Sequence, residues 1–304
     1  MARRKLTAGE RGDRRFAILA ASPAVLTIAA LFIYPLFYAV VLSMYQMNDK
    51  IPDATQFVGL WNYAQLATDP NFHEALVRTA VFSFFTVFGG VALAVGIARL
   101  LQYPFRGRNV ARVLLLVPWA VPPVVNGIMW KLIFDGTYGV ANAVLGGVGL
   151  IDAPIQWLAD RQLIMGVLIL AEVWKLTPFL ALMTIASMQA IPSNVYRAAS
   201  IDGAGAWAQF WKVTLPNLRG TLMFLLIVQS MWSIKVFDTI YVLTGGSGGP
   251  AEATTTVNFL AYLTTFSYLD RGYGAAMSIS IMGIVILVTV FWILALGRRK
   301  EKAA

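Results

Sequence analysis

The chain contains no cysteine, a single histidine and only 13% charged residues across its 304 positions. Without cysteine there are no disulfides, thiolate metal sites or cysteine nucleophiles, and the redox compartment cannot be read from this residue type. With His73 alone, a multi-histidine zinc site or a Ser-His-Asp triad is hard to assemble. A phosphate-cradling loop is also missing. Thr244-Gly245-Gly246-Ser247-Gly248-Gly249-Pro250 is rich in glycine and reads as a flexible turn, but no Gly-Lys-Ser/Thr follows it. If ATP is used, another chain must bind it. Soluble proteins carry about a quarter charged and roughly 45–50% apolar residues. Here 58% of the residues are hydrophobic, which excludes both an ordinary soluble enzyme and a disordered chain.

The apolar excess is concentrated in long runs. Crossing about 30 Å of hydrocarbon takes roughly 20 apolar helical residues, because other backbone conformations leave polar groups unpaired. Six stretches meet this requirement, near Phe16–Leu42, Ala80–Ala98, Val113–Trp130, Leu163–Met188, Leu222–Leu243 and Ala275–Leu296. Pro118, Pro122 and Pro123 interrupt the third, and Pro178 lies in the fourth. The first run holds the small residues Ala20-Ala21-Ser22, as a signal peptide would, but stays apolar far beyond them. It is therefore expected to be a retained anchor. The fold class is all-α and membrane-embedded, with six spans.

A net charge of +9, from 24 Lys+Arg against 15 Asp+Glu, needs no nucleic acid to explain it, because its distribution matches membrane orientation. Arg3, Arg4, Lys5, Arg11, Arg14 and Arg15 precede the first span. Arg99, Arg106, Arg108 and Arg112 follow the second, Arg197, Lys212 and Arg219 follow the fourth, and Arg298, Arg299, Lys300 and Lys302 follow the sixth. These alternate connections share one side, so both termini are expected in the cytoplasm. The expected organisation is a basic cytoplasmic N-terminus at 1–15, a membrane domain at 16–297 and a basic tail at 298–304. The opposite loops hold Asp49, Asp53, Asp69, Glu74, Asp135, Asp152, Asp160, Glu252 and Asp270, either as solvated surface or as a docking face. His73 is read as loop surface.

The cytoplasmic connection at 190–217 is too apolar for a plain linker. Ser193 can cap a short helix bearing Tyr196, Ala198 and Ala199, and Gly203 can leave that helix in a left-handed conformation. A second short helix would carry Trp207, Phe210 and Trp211, with Pro216 at the next boundary. These aromatics call for burial on the chain's own inner ends, in the lipid interface or on a partner.

This segment resembles the "EAA" loop of ABC importer permeases, in which Glu-Ala-Ala is followed by three residues, Gly, nine residues, Ile, one residue and Leu-Pro. Ala198-Ala199, Asp202-Gly203-Ala204, Val213 and Leu215-Pro216 stand at the matching positions, with Arg197 where the family has Glu. Phe57-Val58-Gly59-Leu60-Trp61-Asn62-Tyr63, Pro118-Trp119-Ala120-Val121-Pro122, Phe237-Asp238 with Tyr241-Val242-Leu243-Thr244-Gly245-Gly246, and Thr254-Thr255-Thr256 resemble elements of sugar permeases in the same order. The chain is thus identified as a member of the carbohydrate permeases of the maltose and glycerol-3-phosphate importer type, with a MetI-like permease fold. The resemblance implies an inner-membrane transport subunit rather than an enzyme, pairing with a homologous second permease. It also implies a dimeric ATPase below, which carries ATP and Mg so that this chain binds no cofactor, and a substrate-binding protein above. Tyr196, Arg197, Ala198, Ala199, Asp202, Gly203, Ala204, Leu215 and Pro216 would contact the ATPase. Ala198 and Ala199 would allow close approach, and Asp202 would cap or pair.

Ionisable residues inside spans are costly and are paired or face a cavity. Glu172 with Lys175, and Lys235 with Asp238, are three apart, so each is expected to self-pair along one helix face, while the family resemblance also puts both pairs where it has bends and the translocation path. A sugar needs polar groups and an aromatic face, available in Trp119, Asn126, Phe179, Gln229, Trp232 and Ser233. The resemblance puts Trp119, Phe179, Gln229, Trp232 and Ser233 at positions that line the midmembrane sugar site of the maltose-type permease. Packing and interface anchoring are the alternative roles of these aromatics. Two other classes are weighed. A stand-alone secondary transporter would show inverted repeats, of which no clear one is found, and an intramembrane enzyme would have a thin catalytic inventory.

Overall fold

The computed structural model describes residues 8–51 and 55–297, with side chains from Phe16 onward except Ile18. Arg3, Arg4, Lys5, Asp53, Arg298, Arg299, Lys300 and Lys302 lie outside the described residues, as do the side chains of Arg11, Arg14 and Arg15.

The chain forms two compact units. One comprises the described residues up to Thr68 together with Thr264–Ile279. It begins with α1 (Ala8–Ile28), a wider π turn (Ala29–Ile33) and α2 (Tyr34–Leu42). The π turn ends two residues before Pro35, whose ring removes one backbone donor. Leu19–Leu42 is long and apolar enough to cross a membrane, and none of its most apolar stretch is buried by the rest of the chain. A two-residue antiparallel pairing follows, β1 (Tyr45–Gln46) with β2 (Gln56–Phe57), in which Tyr45 opposes Phe57 and their rings lie 5.3 Å apart. Asn62, in α3 (Trp61–Thr68), donates to the carbonyls of Ser43 at 2.8 Å and Tyr45 at 2.9 Å, and the Tyr63 hydroxyl meets Ser43 Oγ at 2.6 Å. The Phe57–Tyr63 element therefore acts as a clamp on the chain leaving α2.

The other unit comprises Asp69–Leu263 and the described residues from Ser280 onward. Its frame is α4 (Pro70–Leu100), packed lengthwise on a later helix labelled α9 (Leu163–Gln189). Asp69 caps α4 by accepting from the Asn71 N–H at 2.9 Å. His73 lies exposed in the first turn of α4, not in a loop. Between these two helices run α5 (Arg108–Leu115), α6 (Val117–Ala120), α7 (Pro123–Ile133) and α8 (Val140–Gly147). The chain bends by 96° between the α5–α6 segment and α7. Val121 is extended, as a residue before proline must be, and Pro122 and Pro123 supply no donors to continue the ladder.

After α9 come α10 (Ser193–Ile201), α11 (Ala206–Gln209), a π turn (Phe210–Thr214) and α12 (Leu215–Asn217). The next span is also bent, by 42°, between α13 (Arg219–Ile234) and α14 (Asp238–Thr244). Last come α15 (Val257–Tyr262) and α16 (Arg271–Gly297), of which α16 runs through both units. Three apolar clusters hold the second unit, centred on Phe82, Leu168, Ile240 and Phe259, on Ala94, Leu180 and Leu225, and on Ala98, Met188 and Leu218.

Four uninterrupted helices among the described residues are long and apolar enough to cross a membrane, and six spans result when each bent pair counts as one. The glycine-rich turn differs from its expected slackness. Gly245, Gly246, Gly248 and Gly249 all have positive φ, and Gly246 N donates to Tyr241 O at 2.8 Å while Thr254 Oγ1 donates to Gly248 O at 2.8 Å. It is a built turn.

At Gly127 α7 packs on α14 with no room for a side chain, since a Cβ there would sit 2.8 Å from Val242 Cβ. Gly127→Ala is expected to lower stability by about 1–3 kcal/mol through overpacking. A detergent melting assay reads the loss, and an unaltered melt in this variant would contradict the packing.

Candidate functional site

The 190–217 connection is a fastened unit. Ser193 is the first residue of α10 and does not cap it; its Oγ instead accepts from Arg197 Nη2 at 3.0 Å. The capping expectation fails because Pro192 occupies the extended position before the helix. The other end behaves as its glycine requires. Gly203 has φ of +79°, its N–H donates to Ser200 O at 3.1 Å, and Ala204 N–H donates to Ala199 O at 2.9 Å. This paired closure satisfies the last carbonyls of α10. Gln209 Nε2 reaches Ser200 Oγ at 2.9 Å and Ala204 O at 2.8 Å, and Tyr196 meets Thr214 Oγ1 at 3.0 Å. The second helix of the connection is only α11 and the π turn after it, so Trp207, Phe210 and Trp211 cluster on less than two turns. Arg197, Ala198, Asp202, Gly203 and Pro216 are exposed, while Tyr196, Ala199, Ala204 and Leu215 are half-buried. Ile201 stands 86% exposed at the tip, an apolar side chain left uncovered by the described residues.

A cavity of about 470 Å³ opens where the two broken spans meet α9. Trp119 and Pro122 line it from the first break, Glu172 and Lys175 from α9, and Lys235, Asp238 and Thr239 from the second break. The expected self-pairs do not form. Among the described residues the ion pairs are Arg78–Glu74 and Arg271–Asp49, each at 2.6 Å. Lys235 ends α13, and Phe237 has φ of −145°, so Lys235 and Asp238 do not share a continuous helix face. Glu172 is buried and accepts instead from Thr239 Oγ1, joining α9 to the start of α14.

Beside the cavity, the Trp119 and Phe179 rings stack with centroids 5.8 Å apart, and Phe179 and Trp232 lie 5.4 Å apart. These three expected path residues are brought together, with Trp119 46% exposed. Gln229 is fully buried with neither amide atom hydrogen-bonded, and a Cβ on Gly90 would lie 3.8 Å from its Nε2. Asn126 is also fully buried and unbonded at both amide atoms. Ser233 is buried and donates to Ser230 O at 3.0 Å, so it does not face the cavity. Sequence reading does not find Thr239, which belongs to no motif; the available signal was a hydroxyl beside Phe237-Asp238 that a buried Glu172 would need as donor.

Several loop acids serve the backbone. Asp160 accepts from the N–H of Gln162 at 2.7 Å and Leu163 at 3.0 Å at the start of α9. Asp135 accepts from the N–H of Thr137 and Tyr138, which holds its carboxyl below the usual carboxylate pKa.

Residues 87–302 match the family described as "Binding-protein-dependent transport system inner membrane component". The chain is 33% identical to the sulfoquinovosyl glycerol transport system permease protein SmoG of Agrobacterium fabrum, over 93% of this chain and 90% of that one. It is 36% identical to the trehalose/maltose transport system permease protein MalF of Thermococcus litoralis, over 90% and 91%. Its fold matches a chain of a bacterial ABC transporter that imports the acidic polysaccharide alginate, with TM-score 0.81 at 18% identity over 95% of this chain and 98% of that one.

Thr239→Val keeps the side-chain shape and leaves the buried Glu172 carboxyl without its donor. It should destabilise the chain by about 1–3 kcal/mol, read as a lower melting temperature in detergent. Melting identical to the parent would contradict the role given to this hydrogen bond.

Proposed function

The chain belongs to the family of binding-protein-dependent transport system inner membrane components, and from that premise we propose that it carries a sugar, a di- or oligosaccharide or a related polyol or glycoside, across the inner membrane. The observation that carries the sugar reading is the aromatic group Trp119, Phe179 and Trp232 beside a cavity lined by groups of both charges. Pyranose rings present apolar C–H faces that pack on aromatic rings, and hydroxyls that both donate and accept. Unbonded Gln229 and Asn126 add further donors and acceptors, which reach a sugar only if the surrounding helices part. Ser233 would join them by the same movement.

In this reading both termini face the cytoplasm, because the basic connections lie on that side. A homologous second permease completes the path, a substrate-binding protein delivers the sugar from outside, and a separate dimeric ATPase binds ATP and Mg. The 190–217 connection transmits the movement of that ATPase. Its exposed small residues Ala198 and Gly203 let another surface come close, and Ile201 supplies an apolar contact. The hydrogen bonds tying α10 to the following turn make it a body that moves as one piece. Arg197 stands where the family pattern has glutamate and donates to Ser193.

Gly203→Val places a branched side chain at a left-handed position and should undo the end of α10. The variant is expected to insert in the membrane but to lose ATPase co-purification and ATP-driven uptake. Normal co-purification would contradict the coupling reading. Trp232→Ala should raise the KM for sugar uptake while the assembled complex stays intact, and an unchanged KM would contradict the sugar path.

A further inference from the structure

A second cavity, of about 520 Å³, lies where the end of α4 meets the aromatic cluster after α10. Ala92, Gly96 and Leu100 form its α4 wall, Trp207 and Phe210 form the other, and Arg99 stands at its rim. We propose that this groove binds an anionic phospholipid, with one acyl chain along α4 and the headgroup phosphate on Arg99.

Three observations carry the assignment. The groove is open by construction, since a Cβ on Gly96 would meet no atom within 4 Å. It continues onto an apolar face of α4 that the described residues of the second unit leave open, with Leu93 52% and Leu100 70% exposed. In the membrane reading that face is open to hydrocarbon, so an occupant soluble there suits it. Finally, the cation at its end is uncompensated. The Arg99 guanidinium lies over the Tyr103 ring at 5.1 Å and near the Phe210 ring at 6.0 Å, and it donates to Gln102 Oε1 at 3.2 Å and Ala206 O at 3.4 Å. No carboxylate among the described residues pairs with it. These contacts fix the guanidinium in place and leave its charge for an anion.

Depth agrees with chemistry. The 31 residues of α4 extend roughly 46 Å at 1.5 Å each, beyond the ~30 Å of hydrocarbon, so Arg99 reaches headgroup level. Exposed Trp207 beside it suits the same interface. An apolar groove ending in a fixed cation fits an amphiphile with a negative head. The site needs only the membrane reading, and stands whether or not the neighbouring connection docks an ATPase.

The test is native mass spectrometry of the full chain released from nanodiscs of mixed phosphatidylglycerol and phosphatidylcholine. The parent should retain phosphatidylglycerol preferentially. Arg99→Gln should reduce that retention roughly fivefold, the equivalent of about 1 kcal/mol for one basic side chain at an anionic surface. Arg99→Lys should keep most of it. Gly96→Leu fills the groove at a helical position with free space and should fold normally while losing the lipid. Equal retention of the two lipids by the parent, or unchanged retention in Gly96→Leu, would overturn the proposal. So would cross-linking of Gly96→Cys to a protein subunit in the assembled complex, which would make the occupant a protein.

Discussion

Inside a bilayer every backbone N–H and C=O must find its partner within the protein, and this requirement orders the rest of the structure. Uninterrupted helices meet it on their own, as α4, α9 and α16 do. A helix may break only where protein or a polar cavity takes over the released groups. The second unit has two such breaks, at Val121–Pro122 and at Lys235–Phe237, and both open on the cavity that holds Trp119, Lys175, Lys235 and Asp238. Backbone irregularity and charge, each costly in lipid, are confined to the same place. That coincidence gives the second unit a polar-lined cavity at its two breaks, which the proposed function makes part of the sugar path.

The second break is held by a side chain instead of by backbone. Glu172 on α9 accepts the Thr239 hydroxyl, so the short α14 is tied to the same long helix that forms half of the frame. At the other end of α9, the 190–217 connection is closed by Gly203 and Ala204 and then fastened by Tyr196 and Gln209. One helix thus links the cavity wall to the exposed connection. In the proposed coupling, a push on that connection would travel along α9 to the break.

Much of this was legible in the chain because its signals are long or sterically strict. Runs of apolar residues announce spans, Pro122 and Pro123 announce a break, and Gly203 announces a helix end, since few other residues tolerate its φ. The Lys235–Phe237 break carries no proline. A helical pattern there reads straight through, which is why Lys235 and Asp238 were expected to share a face that the chain does not build. Glu172 and Lys175 do lie on one helix, yet burial makes a neutral hydroxyl from another span the available partner for Glu172. The aromatic group was legible by residue type and the facing of Ser233 was not, because that hydroxyl had a carbonyl of its own helix within reach.

The central claim is that this chain is a passage whose opening is driven from outside it. The most direct measurement is sugar uptake into proteoliposomes holding the purified chain, with and without its second permease, ATPase and binding protein. The account requires uptake only in the complete assembly with ATP. Uptake by the chain alone, without ATP, would contradict it.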